Sequence, residues 1–112
     1  MTDREEARAA LRRRRRAGLD RFDEVWNGVD VMAPMANDEH QTLATRLAVA
    51  LQTALGWDQG EVIVGCKVSD RRGRDWRRND RCPDVAVFLL GNPAQNQGSP
   101  WFGGPDFTME VV

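Results

Sequence analysis

The sequence predicts an α/β fold of the α+β kind: a mixed β-sheet with an N-terminal hairpin and a long helix flanking one face. Three observations predict it. An Asn27-Gly28 pair stands between two strand-like runs. An apolar stripe at helical period covers residues 39–55. Three more strand-like runs then complete the chain. A hairpin, one helix and a set of strands without regular alternation of helix and strand point to a single sheet with a covered face.

Residues 3–17 form a helix, with Glu5 and Glu6 near its start and arginines 12–16 near its end, where the helix dipole favours each charge. Gly18 stops it. Only Ala7, Ala9, Ala10 and Leu11 offer apolar surface, so this helix packs weakly and residues 1–20 are an extension to the domain of residues 21–112. Residues 22–26 and 29–33 pair as antiparallel strands, because Asn-Gly readily adopts the positive φ that a tight hairpin turn requires. Val29 and Val31 alternate with Asp30, giving one buried and one wet face. Pro34 ends the second strand. Asp38 is read as the cap of the next helix, with Gln41 as its capping-box partner. Leu43, Leu47, Leu51 and Leu55 recur along one helix face, and Gly56 closes it. Residues 61–68 read as one strand. Residues 70–81 pair six Arg with three Asp and one Trp in a charged loop or ribbon. Residues 83–90 (PDVAVFLL) are a strand buried on both faces. Residues 91–105 are an irregular surface loop. Residues 107–112 (FTMEVV) are a last strand, and a chain ending inside a strand is expected of a fragment.

Composition excludes several classes. The formal net charge is −1 over 112 residues, and no apolar run approaches the ~20 residues that cross a bilayer. The N-terminus has no apolar core of a secretory signal, and Asp3, Glu5 and Glu6 oppose a mitochondrial presequence. Cys66 and Cys82 lack CxxC spacing and lie far from His40, the only histidine, which argues against zinc. Two lone cysteines without an export signal read as reduced thiols, so the expected location is cytoplasmic.

Two acids stand out by position. Asp84 opens a strongly apolar strand, and Glu110 lies between Met109 and Val111 in another. An acid in an apolar strand costs several kcal/mol, roughly, when buried without a partner. A divalent cation is one compensation, and carboxylate oxygens suit Mg²⁺ or Mn²⁺. Bland readings stand beside the sharp ones. Asp84 fits a turn cap at a strand edge. Glu110 fits the wet face it shares with Thr108. His40 fits a solvent-facing helix start, and Glu24 a cross-strand ion pair. The arginines at 12–16 fit a solvated helix end as well as a grip on phosphates.

The segments FDEVWNGVDVMAP, a helix led by His40, RCPDVAVF and GGPDFTMEVV together resemble the Uma2 family (DUF820) of restriction-endonuclease-like proteins, within the PD-(D/E)xK nuclease superfamily. The resemblance covers residues 21–112. It implies a restriction-endonuclease-like fold, incomplete at the C-terminus, and metal-dependent hydrolysis of DNA phosphodiesters with Mg²⁺ or Mn²⁺ as cofactor. Asp84 and Glu110 match the family's metal-binding acids, and the backbone carbonyl of Val111 would be a further ligand. Glu24 and His40 match recurring positions that orient metal or water. Arg81 stands for the family's Arg before Pro-Asp, with Cys82 between. DNA is the implied partner, and a homodimer would supply two cutting sites. The chain departs from the superfamily pattern at Val112, where a lysine is expected, and Lys67 is its only lysine. Loss of that charge removes transition-state stabilisation, so the chain is expected to be inactive or very slow. The alternative is a non-catalytic nucleic-acid-binding or protein-interaction module on the same scaffold.

Overall fold

A computed structural model describes residues 2–33, 37–97 and 100–111. Helix α1 spans Asp3–Arg16. Thr2 caps it, accepting from the Glu5 N–H at 3.1 Å, while the Glu5 carboxylate reaches back to the Thr2 N–H. None of its residues is buried. Its anchor is Arg14, which makes a two-pronged ion pair with Asp23 through Nε and Nη2 at 2.6 and 2.8 Å. One member of the 12–16 run is therefore engaged with the fold rather than solvated.

The hairpin is β1 (Glu24–Trp26) and β2 (Val29–Val31), both shorter than the sequence predicts. Asn27 and Gly28 turn it with φ of 49° and 84°, and Trp26 pairs with Val29. The expected buried face fails at Val29, which is 64% exposed. The hairpin forms the edge of its sheet, so alternation there has nothing to pack against. The residue expected to end the strand, Pro34, lies outside the described residues.

Helix α2 runs Asp38–Leu55, and its cap is Asn37 rather than Asp38: the Asn37 side chain accepts from the His40 N–H at 2.8 Å. Ala44 and Gln52 are its buried residues. Leu43 is exposed, whereas Leu47, Leu51 and Leu55 are half-buried beside Ala44, Ala48 and Gln52, so the leucine row turns inward after its first member. Gln52 does for the sheet what a further strand would do. Its Nε2 donates to the Gly60 carbonyl and its Oε1 accepts from the Val62 N–H, at 3.1 and 3.0 Å. The helix thus satisfies backbone groups on an open strand edge.

The expected single strand over 61–68 is two. Strand β3 (Gly60–Val64) pairs with β6 (Val85–Leu89), whereas β4 (Val68–Ser69) pairs with β5 (Asp80–Arg81) in a different sheet. Gly65 makes the break with φ of 64°. Its N–H donates to the Asp84 carbonyl at 2.9 Å. A Cβ there would lie 2.9 Å from Cε1 of Phe22, so a side chain is excluded twice over, by φ and by contact.

The charged segment contains a 3₁₀ helix, Gly73–Arg78. The loop after residue 91 holds two short strands, β7 (Gln95–Asn96) and β8 (Trp101–Phe102). The last strand, β9, is Phe107–Met109. One expected sheet is therefore two: six strands in the order β2-β1-β5-β4-β8-β7, and three in the order β3-β6-β9. Among the described residues only β4 with β8 is parallel, which makes the larger sheet mixed. Strand β6 is central in the smaller sheet, and Val85, Ala86, Val87 and Phe88 are buried, as its apolar run predicts. Among the described residues no helix is long and apolar enough to cross a membrane.

The Gly65 pivot gives a stability test. Gly65→Ala is expected to lose about 1–3 kcal/mol in denaturant unfolding, from a strained φ and a clash with Phe22. Gly91→Ala, with φ of 90° and open space around it, should lose less.

Candidate active site

The antiparallel register of β6 and β9 builds the site. Val85 pairs with Met109, so one step further the register sets Asp84 opposite Glu110, at the end of the buried strand. Opposed residues in an antiparallel pair point to the same face. Neither acid lies inside a strand: Asp84 precedes β6, and Glu110 follows β9 rather than sitting in its middle. The costly buried acid in a strand interior is thus avoided, and both carboxyls stand at the open end.

Asp84 is held firmly. Its Oδ2 accepts from the Val111 N–H at 2.7 Å, and its Oδ1 lies 3.4 Å from His40 Nε2. The Glu110 carboxyl is pushed above its ordinary value of 4.5. Partial desolvation is the largest cause, although the residue as a whole is exposed. The Asp84 charge, a hydrogen bond with Asp84 and the Glu24 charge add to it. Two carboxylates this close resist sharing negative charge.

Helix α2 supplies His40 from its first turn, aimed at Asp84 rather than at solvent. Glu24 comes from the first position of β1. Its Oε2 accepts from the Cys82 N–H and its Oε1 from Trp26 Nε1, at 2.7 and 2.8 Å. Its hydrogen-bond partners are neutral N–H groups, so the cross-strand ion pair does not describe it. Glu24 clamps the hairpin to the segment leading into β6. Arg81 braces the same junction: its Nη1 donates to the Val25 carbonyl at 2.9 Å, and its guanidinium lies 5.1 Å from the Trp26 ring centroid. Cys82 is buried, and its thiol is pushed up to about 12 by burial, which keeps it protonated and chemically quiet.

Glu24, His40, Asp84, Glu110 and Val111 line one cavity of about 520 Å³, together with Phe22 and the helix cap Asn37. Nothing in the sequence marks Phe22, Cys82 or Asn37 as walls of a site; Asn37 is only of a residue type that caps helices. Lys67 is not in this wall. It borders two neighbouring cavities and lies near enough to Asp80, Asp23 and Cys82 to favour their negative charge. Val112, the expected lysine position, lies outside the described residues.

Among the described residues no three His, Cys, Asp or Glu side chains are grouped to cage a metal. The donor set is instead a carboxylate pair beside an imidazole. A small hard cation that keeps several waters needs only one or two carboxylates, and carboxylate oxygens are the donor type that suits Mg²⁺ or Mn²⁺. The contact Val111 makes with Asp84 is through its N–H, leaving its carbonyl uncommitted by that bond.

A helix thus lies across an antiparallel sheet, with two acids opposed at the strand ends, in an α+β scaffold. Among solved structures the chain is similar in fold to the crystal structure of "a putative nuclease belonging to DUF820" from Anabaena variabilis ATCC 29413, with a TM-score of 0.62 and 15% identity over 80% of this chain. The match covers 50% of that chain, so this sequence spans about half the length of its neighbour. No protein-family model matches the sequence, and the comparison with curated proteins gave no match.

Two outcomes follow from the geometry. Glu24→Ala leaves the buried Cys82 N–H without its acceptor and should cost about 1–3 kcal/mol in denaturant unfolding. The raised Glu110 carboxyl binds its proton more tightly folded than unfolded, so stability is full below 4.5 and falls as pH rises through the folded value. Glu110→Gln is therefore expected to melt above wild type near neutral pH, with the gap closing as pH drops below 4.5 in a thermal melt series.

Proposed function

We propose that the chain carries the carboxylate site of a Uma2-type (DUF820) nuclease of the PD-(D/E)xK class, with DNA as partner and Mg²⁺ or Mn²⁺ as cofactor. The observation that carries this reading is the opposition of Asp84 and Glu110 across β6 and β9, with Glu110 raised by partial desolvation and by the Asp84 charge. Fold likeness to the Anabaena protein supports it, and so does the order of the sequence motifs.

In this reading Asp84 and Glu110 hold the cation, with the Val111 carbonyl at hand. When bound, the cation supplies charge stabilisation and an activated water for phosphodiester hydrolysis. The chain's own residues do the rest. The Val111 N–H and His40 fix the Asp84 carboxyl in orientation. Glu24 keeps the hairpin wall closed against Cys82 and adds negative charge toward Glu110. Phe22 gives the pocket an apolar side. The proposal includes a cytoplasmic setting and a homodimer that presents two such sites to a duplex.

One observation favours a second reading. No lysine lines the pocket among the described residues. A scaffold that binds nucleic acid or protein without cutting is consistent with that. The two readings separate on one experiment. Mn²⁺ binding followed by electron paramagnetic resonance should be clear in wild type and lost in Asp84→Ala and in Glu110→Ala. Slow nicking of supercoiled plasmid should disappear in the same variants. Equal Mn²⁺ binding by wild type and Asp84→Ala would leave only the non-catalytic scaffold, whose DNA affinity would survive both substitutions.

A further inference from the structure

A second cavity, of about 480 Å³, opens where the chain passes from β3 in one sheet to β4 in the other. Trp76 and Trp101 stand in its walls, with the cations Arg21 and Lys67 and one acid, Asp20. Trp101 is immobilised. One face stacks on buried Phe88, with ring centroids 4.0 Å apart and 15° between planes, and the Trp101 backbone N–H donates to the Lys67 carbonyl at 2.9 Å. The surface it can show the cavity is its other face or its edge. Trp76 belongs to the 3₁₀ helix and has the Arg77 guanidinium 5.4 Å from its ring centroid. Cys66 adds no charge, since burial pushes its thiol up to about 11.

The wall therefore includes two tryptophans, with two cationic side chains against one acidic, and Lys67 also faces Asp23 and Asp80. A flat heteroaromatic ring gains by stacking on a pre-fixed indole, and a phosphate gains from lysine and arginine beside it. A ligand carrying both groups uses both features. The cavity also adjoins the acidic one. Arg21 lines this cavity and Phe22, the next residue, lines the other. Gly65, a wall residue here, packs directly on the Phe22 ring.

We propose that this cavity is a nucleotide subsite: it takes one unstacked nucleotide, the base against Trp101 and Trp76 and the phosphate toward Lys67 and Arg21. Its place beside a cleavable strand rests on the nuclease reading of the acidic pocket. Its own chemistry needs neither Asp84 nor a metal. The nucleotide comes from the free pool or from a single strand lying across the Arg21–Phe22 wall.

The test uses the full chain with ¹⁵N-labelled indoles, titrated with dAMP in the absence of divalent metal. The indole signals of Trp76 and Trp101 should shift saturably, while Trp57, which is 77% exposed and outside the cavity wall, stays still. Deoxyadenosine should bind roughly tenfold more weakly than dAMP, and inorganic phosphate alone should leave the indoles unmoved. A short oligothymidylate that saturates at lower concentration than dAMP assigns the strand as the source, and equal saturation assigns the free nucleotide. Arg21→Gln, at an exposed position, should weaken dAMP several-fold without unfolding the chain. The proposal is overturned by unmoved indoles, by an equal shift of all four tryptophans, or by phosphate acting as well as dAMP. Loss of Mn²⁺ binding in the wild-type acidic pocket with the dAMP shift intact would sink the nuclease reading and leave the subsite. The reverse pattern would sink the subsite alone.

Discussion

Everything at the candidate site depends on one electrostatic constraint: β6 and β9 pair in a register that makes Asp84 and Glu110 face each other. Val85, Ala86, Val87 and Phe88 lie at the centre of the smaller sheet, buried on both faces, and this core strand carries the pairing to its end, where the acids stand. Hydrophobic burial therefore holds two like charges together at the strand ends. Partial desolvation, and then the Asp84 charge, raise Glu110 and leave a site that gains from a cation. The energy that tolerates the repulsion comes from the core strand, and the chemistry is placed where that strand meets water.

The rest of the fold supports this pair. Helix α2 brings His40 to Asp84 from its capped first turn, and Gln52 further along ties the same helix to the edge of β3. The hairpin closes the opposite wall through Glu24 and Cys82. Arg14 couples α1 to the approach of β1 through Asp23, so a helix that buries none of its residues is still attached at a defined point. Asp80 is the unresolved cost of the larger sheet. It is 3% exposed, its Oδ1 has no hydrogen-bond partner among the described residues, and burial raises its carboxyl despite the field of Lys67.

Much of this was legible in the residues. The apolar run at 83–90, the Asn-Gly turn and the long helix each follow from local rules that tertiary contacts did not override. The acids were legible as oddities beside apolar strands. What was not legible turned on contacts far apart in sequence. Gly65 looks like any glycine in a strand until Phe22 is set against it, and that approach splits the run at 61–68 between two sheets. Val29 alternates correctly but has no partner layer. Gln52 interrupts an apolar face as a polar residue, and only the neighbouring strand edge explains it. Glu24 could be placed on a hairpin, yet its acceptor role toward Cys82 spans 58 positions of sequence.

The convergence of the two carboxyls is tested most directly by following the side-chain carboxyl ¹³C signal of Glu110 through a pH titration, in wild type and in Asp84→Asn. With the charges opposed, Glu110 titrates above its ordinary value of 4.5 in wild type and moves back toward it when Asp84 loses its charge. A Glu110 that titrates at its ordinary value in wild type, or that ignores the change at Asp84, would contradict the account.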